Sequence, residues 1–260
     1  MEVGRMPEAI VVGNLSIGCD VGGKPAPEKT AVVFVHGAGR TRHVWRHQLG
    51  LDVPGFYQVA VDLPGHGRSA GHGYATIAEY RDFLRDFLAA VGLGRVVIAG
   101  HSMGGAIALD LALKYPELLR GLVLVGTGAR LRVAPFVLEA VRKGEARALG
   151  KYSYAPGTDP ALVAEAEKEF DLMSKEVRYK DFLACDRFDV MGRLGEIRTP
   201  TLILCGEEDV LTPVKYARYL EGNIPGARMV TVSAAGHMVM WEQAEAVNRA
   251  LVEFLGALPT

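Results

Sequence analysis

Gly100-His101-Ser102-Met103-Gly104-Gly105 stands between the apolar run Val96-Val97-Ile98-Ala99 and the helix-like Ala106-Ile107-Ala108-Leu109. The pattern is strand, abrupt turn, helix. Such a turn forces its middle residue into strained dihedrals, and glycines two positions before and two after it remove Cβ atoms that would clash. Ser102 is thereby predicted to stand out as a nucleophile within reach of a substrate. A bare Gly-x-Ser-x-Gly arises often by chance in a chain with 31 glycines, so the flanking strand and helix patterns carry the reading.

Outward from this turn, short Val- and Ile-rich runs recur: Ala9 to Val12, Ala31 to Val35, Tyr57 to Val61, Arg95 to Ala99, Gly121 to Val125, Thr201 to Cys205 and Ala227 to Val232. These read as buried strands. Helical patterns lie between several of them, clearest at Thr76 to Val91, where Ile77, Tyr80, Phe83, Leu84, Phe87, Leu88 and Val91 recur every three or four residues. Alternating strands and helices predict an α/β fold: a mainly parallel sheet with helices on both faces. Gly13-Asn14, between the first run and Leu15 to Val21, predicts an antiparallel hairpin leading into it.

The rhythm stops between Arg130 and Arg198, where Gly144, Gly150, Pro156-Gly157 and Pro160 break the chain into short helices. An inserted helical cap is expected over 130–198, on a core domain made of 1–129 and 199–260. Within it Leu162, Val163, Ala166, Phe170 and Met173 share the face of one helix, with Glu165, Glu167, Lys168 and Glu169 mostly off that face. Arg130 to Lys151 is predominantly basic and Asp159 to Asp171 predominantly acidic, so the two stretches are expected to be solvated faces that attract one another, with a binding patch as the alternative.

A serine hydroxyl is a poor nucleophile until a base takes its proton, and that base needs a third group to orient it. Two later loops supply these parts. Gly206-Glu207-Glu208-Asp209 follows the run Thr201 to Cys205, and Ser233-Ala234-Ala235-Gly236-His237 follows Ala227 to Val232. In an open parallel sheet, sites assemble at the carboxyl ends of the strands. Ser102, Asp209 and His237 are therefore the candidate catalytic residues, with Glu207 and Glu208 as alternatives to Asp209 or as ordinary solvated charges.

The chain resembles the α/β-hydrolase family over nearly its whole length. His36-Gly37-Ala38-Gly39 resembles that family's oxyanion loop, Asp62-Leu63-Pro64-Gly65-His66-Gly67-Arg68-Ser69 the turn after its next strand, Gly100 to Gly104 its nucleophile elbow, and Gly206 to Asp209 and Gly236-His237 its acid and histidine loops. The resemblance implies that Ser102 attacks, His237 transfers protons and Asp209 holds the imidazole. It implies backbone N–H donors for the oxyanion at Met103 and Ala38, with Gly39 as the alternative to Ala38. His101 is expected to be structural, pointing away from Ser102.

A formal net charge of −1 gives no electrostatic reason to expect nucleic acid as partner. No apolar run reaches the ~20 residues of a membrane span, and Glu2 and Arg5 precede a short apolar stretch unlike a secretory signal, which predicts a leaderless protein without membrane insertion. Cys19, Cys185 and Cys205 are an odd set without metal-like spacing, expected as reduced thiols of a cytoplasmic protein. His43 and His47 have helical metal spacing but no third ligand, so no metal is expected. Gly65 to Ala70 superficially fits a dinucleotide fingerprint, yet Gly71 to Gly73 follow where a helix should begin, so no cofactor is expected. Met173, Phe136, Met238, Met240 and Trp241 are candidates for an apolar acyl pocket, with core packing the alternative for each. Oligomeric state has no signature in the sequence.

Together these features predict a cofactor-independent carboxylesterase cleaving small or medium apolar esters through an acyl-enzyme. A lactonase or carbon–carbon bond hydrolase on the same residues is the alternative, and a small-molecule sensor with a capped pocket is the alternative from another class.

Overall fold

A computed structural model describes residues 9–259. Its centre is an eight-stranded sheet: β1 (Ala9–Val12), β2 (Leu15–Gly22), β3 (Thr30–Val35), β4 (Phe56–Val61), β5 (Val96–His101), β6 (Leu119–Val125), β7 (Thr201–Gly206) and β8 (Arg228–Val232), in the order β1-β2-β4-β3-β5-β6-β7-β8. β1 and β2 form the expected antiparallel hairpin, and β2 meets β4 antiparallel. From β4 to β8 all pairs are parallel.

Two-residue periodicity divides the core into two layers. Val33 and Val35 of β3 and Ile98 of β5 face α1 (Ile77–Ala90) and α2 (Met103–Lys114), whereas Val32, Phe34, Val97 and Ala99 face a layer with Trp45, α7 (Val239–Glu242) and α8 (Ala244–Gly256). α6 (Val214–Asn223) joins the first layer through Ala217 and Leu220. α1 begins where the sequence places it, because the Thr76 hydroxyl accepts the Glu79 N–H as N-cap while donating to the Glu79 carboxylate. Its apolar stripe from Ile77 to Leu88 is buried.

Between β6 and β7 the chain makes a helical excursion through α3 (Pro135–Lys143), α4 (Pro160–Ala166) and α5 (Lys175–Arg187), joined by turns of 3-10 helix. Pro135 opens α3, and Gly144, at φ +86°, closes it. The two ends of the excursion meet: the Val190 N–H donates to the Ala129 carbonyl at 2.8 Å, and Arg130 bridges Asp189. α5 packs against α3, α1 and α2.

One sequence expectation is corrected here. The single amphipathic helix through 162–173 ends at Ala166 and continues as 3-10 turns over Glu167–Leu172. Glu169, expected on the solvated side, is only 5% exposed, and Glu167 is half-buried beside Arg40. The cause is polar: Glu167 pairs with Arg40, and Glu169 accepts the Thr41 N–H, so the acidic turn faces the sheet. Among the described residues Arg147–Asp171 is the one ion pair joining the basic and acidic stretches, and Glu165 pairs instead with Arg46 of the core. The Phe170 side chain lies outside the described residues.

Candidate active site

The carboxyl ends of β5, β7 and β8 lie along one edge of the sheet, and Ser102, Asp209 and His237 follow them. Ser102 has φ 53° and ψ −114°, one of two non-glycine residues with positive φ among those described. Such a conformation stores about 1–3 kcal/mol of strain and persists only where the surroundings enforce it. Enforcement comes from close packing. A Cβ on Gly100 would run into the Gly104 carbonyl, and one on Gly104 into the Val35 carbonyl, so β5, α2 and β3 approach as only glycine permits. The Ser102 N–H donates to the Val125 carbonyl at 2.9 Å. Met103 opens α2, where the first amides of a helix have no intrahelical acceptor.

Asp209 and His237 are brought together. His237 Nδ1 stands 2.8 Å from Asp209 Oδ2, which also accepts the Thr212 hydroxyl at 2.7 Å, while Oδ1 accepts the N–H groups of Leu211 and Thr212, each at 2.8 Å. Burial alone would raise the Asp209 carboxyl. The adjacent imidazole and the Thr212 donors outweigh it and hold the group well below the usual carboxylate range. Asp209 is thus an anion facing Nδ1, which fixes the proton there and leaves Nε2 as the basic nitrogen. Gly206 and Gly236 let the two loops touch, since a Cβ on Gly206 would strike the Gly236 carbonyl. The Glu208 N–H ties the acid loop to Ala235 at 2.9 Å, and the Glu207 and Glu208 side chains are exposed, away from the imidazole.

Ser102 and His237 border one cavity of about 510 Å³. No hydrogen bond joins the Ser102 hydroxyl to His237 among the described residues; catalytic contacts of this kind often tighten only when substrate binds. Ala38 and Gly39 line the same cavity. The Gly39 N–H is engaged, donating to Asp181 Oδ2 at 2.9 Å, so of the two sequence candidates Ala38 is the one whose amide is not committed to that carboxylate.

His101 is buried and borders the same cavity. Its Nε2 lies 3.0 Å from the His237 carbonyl, and burial, reinforced by the nearby His237, holds its imidazole neutral, far below the ordinary histidine value. His47 packs edge-on against Trp241, and His43 is exposed. Among the described residues no cluster of three metal-ligating side chains occurs.

Phe136 and Met238 line the cavity, as the sequence suggests, together with Leu131, Val137 and Phe182; Met240 and Trp241 belong to the core instead. The hydrogen bonds of Thr212 and Asp181 were not foreseen from the sequence. Thr212 has a signal, the Asp-x-x-Thr spacing that lets a hydroxyl return to its own loop. Asp181 has none, because its partners lie more than a hundred residues away.

The model of the alpha/beta hydrolase family matches residues 32–250. The chain belongs to that family. It is 28% identical to a 2-hydroxy-6-oxo-6-phenylhexa-2,4-dienoate hydrolase of Comamonas testosteroni, covering 88% of this chain and 89% of the relative. It is 31% identical to a 2-hydroxy-6-oxononadienedioate/2-hydroxy-6-oxononatrienedioate hydrolase of Cupriavidus pinatubonensis, covering 86% of each. Among solved structures, a thermophilic esterase superposes with a TM-score of 0.82 at 35% identity, covering 95% of this chain and 96% of its own. This α/β hydrolase has no described helix long and apolar enough to cross a membrane.

Proposed function

We propose that this hydrolase cleaves a carboxylic ester by way of a Ser102 acyl-enzyme, in a cavity that the helical excursion covers as a cap. The observation that carries the reading is the shared cavity: a strained, half-buried serine and an acid-oriented histidine open onto one apolar space. His237 Nε2 takes the Ser102 proton as Oγ attacks the carbonyl carbon, and Asp209 stabilises the imidazolium that forms. The Ala38 and Met103 amides receive the oxyanion, each donor accounting for about 10²- to 10³-fold in rate. The imidazolium then protonates the departing alkoxide. Water, deprotonated by His237, attacks the acyl-enzyme, and collapse of the second tetrahedral species returns Ser102 and releases the acid.

The 35% identity to an esterase over nearly the whole chain supports ester cleavage. A second reading is carbon–carbon cleavage of a 2-hydroxy-6-oxo-dienoate, the chemistry named in the two curated relatives. Arg132 and Arg178 in the cavity wall favour it, because they bring positive charge toward a substrate carboxylate. We propose a cytoplasmic location, with which three free, buried thiols accord.

The test is a comparison of kcat/KM for 4-nitrophenyl butyrate, an aliphatic lactone and a 2-hydroxy-6-oxo-dienoate, with Ser102→Ala beside the parent. Ester turnover that exceeds the others and falls by about 10⁶ in Ser102→Ala supports the proposal. Fast dienoate cleavage with negligible ester turnover transfers it to the second reading. An intact Ser102→Ala activity, or no phosphonate adduct on Ser102, refutes both.

A further inference from the structure

Asp181 is a fully buried carboxylate on α5, far from Asp209 in sequence and unused by the reaction above. Burying a carboxylate in the protein interior is unfavourable by several kcal/mol unless donors surround it. Here they do. Oδ2 accepts the Gly39 N–H at 2.9 Å and faces His66 Nε2 at 2.8 Å, and Oδ1 accepts the Tyr80 hydroxyl at 2.5 Å. His66 Nδ1 meets the Pro64 carbonyl at 3.1 Å. With an acceptor at each ring nitrogen, His66 fits as an imidazolium, and its charge balances the carboxylate. Three separate segments therefore converge on one side chain of the excursion: the oxyanion loop at Gly39, the turn after β4 at His66, and α1 at Tyr80.

Gly39 directly follows Ala38, and its φ of +65° is a conformation that the loop must hold against alternatives open to glycine. Inward of the loop, Gly37 packs so tightly that a Cβ there would come within 2.9 Å of His101 Nδ1 and 3.1 Å of Ser102 Cβ. The loop is thus held against Ser102 on one side and by a charged acceptor on the other. We propose that Asp181 is the positioning residue of the oxyanion loop: by holding the Gly39 amide it sets the direction of the Ala38 N–H and makes catalysis depend on docked α5. This rests on the reading of Ala38 as an oxyanion donor.

The experiment compares Asp181→Asn with Glu165→Gln, which weakens a different tie between excursion and core, the Arg46–Glu165 pair. For each folded variant, kcat and KM are measured on the best substrate, together with the affinity of a boronic acid that adds to Ser102 and places an oxygen in the oxyanion site. Asp181→Asn is expected to lower kcat and boronate affinity together by about 10- to 100-fold, with KM within about threefold, since one oxyanion donor is misdirected but not deleted. Glu165→Gln is expected to leave both within about twofold.

Unchanged kcat and boronate affinity in Asp181→Asn, or an equal loss in Glu165→Gln, overturns the proposal. If Asp181→Asn does not fold, Tyr80→Phe, which removes the donor to Oδ1 along with the acceptor of the Tyr74 N–H and leaves the Oδ2 contacts in place, is read by the same criterion, with about a three- to tenfold loss expected. The Gly39 amide, followed by NMR, must lose exchange protection in whichever variant is used. That readout needs no substrate, so failure of the esterase reading and failure of this one are separable.

Discussion

Asp209 and Glu169 are buried carboxylates with opposite fates, and the difference is the number of donors each has. Asp209 has three donors from its own loop besides the imidazole, and Asp209→Asn is expected to keep the fold while lowering kcat by about 10⁴, because the amide presents the wrong tautomer of His237 with its hydrogen bond. Steady-state kinetics beside circular dichroism checks this. Among the described residues Glu169 Oε2 accepts the Thr41 N–H at a long 3.4 Å, and its buried Oε1 has no hydrogen-bond partner. Burial, only partly offset by Arg40, pushes its carboxyl up to about 7 from an ordinary 4.5. The native state therefore retains a proton that the unfolded chain has released. The stability this contributes is complete below pH 4.5 and is lost as pH rises through about 7. Glu169→Gln is expected to be more stable than the parent at pH 8 by on the order of 3 kcal/mol at most, with the difference gone near pH 4, as read by denaturant melts. Asp209 has the reverse sign: its depressed carboxyl contributes stability above an ordinary 3.8 and withdraws it as pH falls. Asp209 and His237 were legible from their loops. Glu169 was not, since helical periodicity assigns an acidic residue to water unless Thr41 and Arg40 are already known to lie beneath it.

At the scale of elements, the strand–elbow–helix unit was the most legible part, because its rule is local. Gly104 lacks a Cβ for reasons of space, not dihedral angle, and Gly104→Ala is expected to destabilise the protein by about 3 kcal/mol or more, as its methyl group must displace the Val35 backbone at the sheet centre. A Gly104→Ala protein melting with the parent would show the elbow to be looser than described. The strands were equally readable, since β3, β4, β5 and β7 are buried along their whole length and are apolar except at Thr30, Gln58, His101 and Thr201. The break after α4 was not. Ala166 is followed by residues with acceptable helix propensity, and what ends the regular helix is the pull of Arg40 on Glu167 and on the Ala166 carbonyl, a long-range contact that overrides local preference.

Across the whole molecule, the loops after the sheet strands carry Ser102, Asp209 and His237, and the excursion supplies much of the cavity wall beside them. Ala146 is buried in that wall, and Ala146→Phe is expected to reduce kcat/KM for a phenyl-bearing acyl substrate by about tenfold or more while leaving an acetyl ester within about threefold, which a two-substrate assay decides. Because the excursion leaves and rejoins the sheet at one neck, where Ala129 and Val190 touch, its length can change without altering the spacing of β6 and β7. A foreign segment grafted at that neck would inherit Ser102, His237 and Asp209 in their present places. It would still work poorly unless it carried a carboxylate to the vacated place beneath Gly39, so new substrate ranges on this scaffold are to be sought by reshaping walls around a retained anchor, not by exchanging lids wholesale.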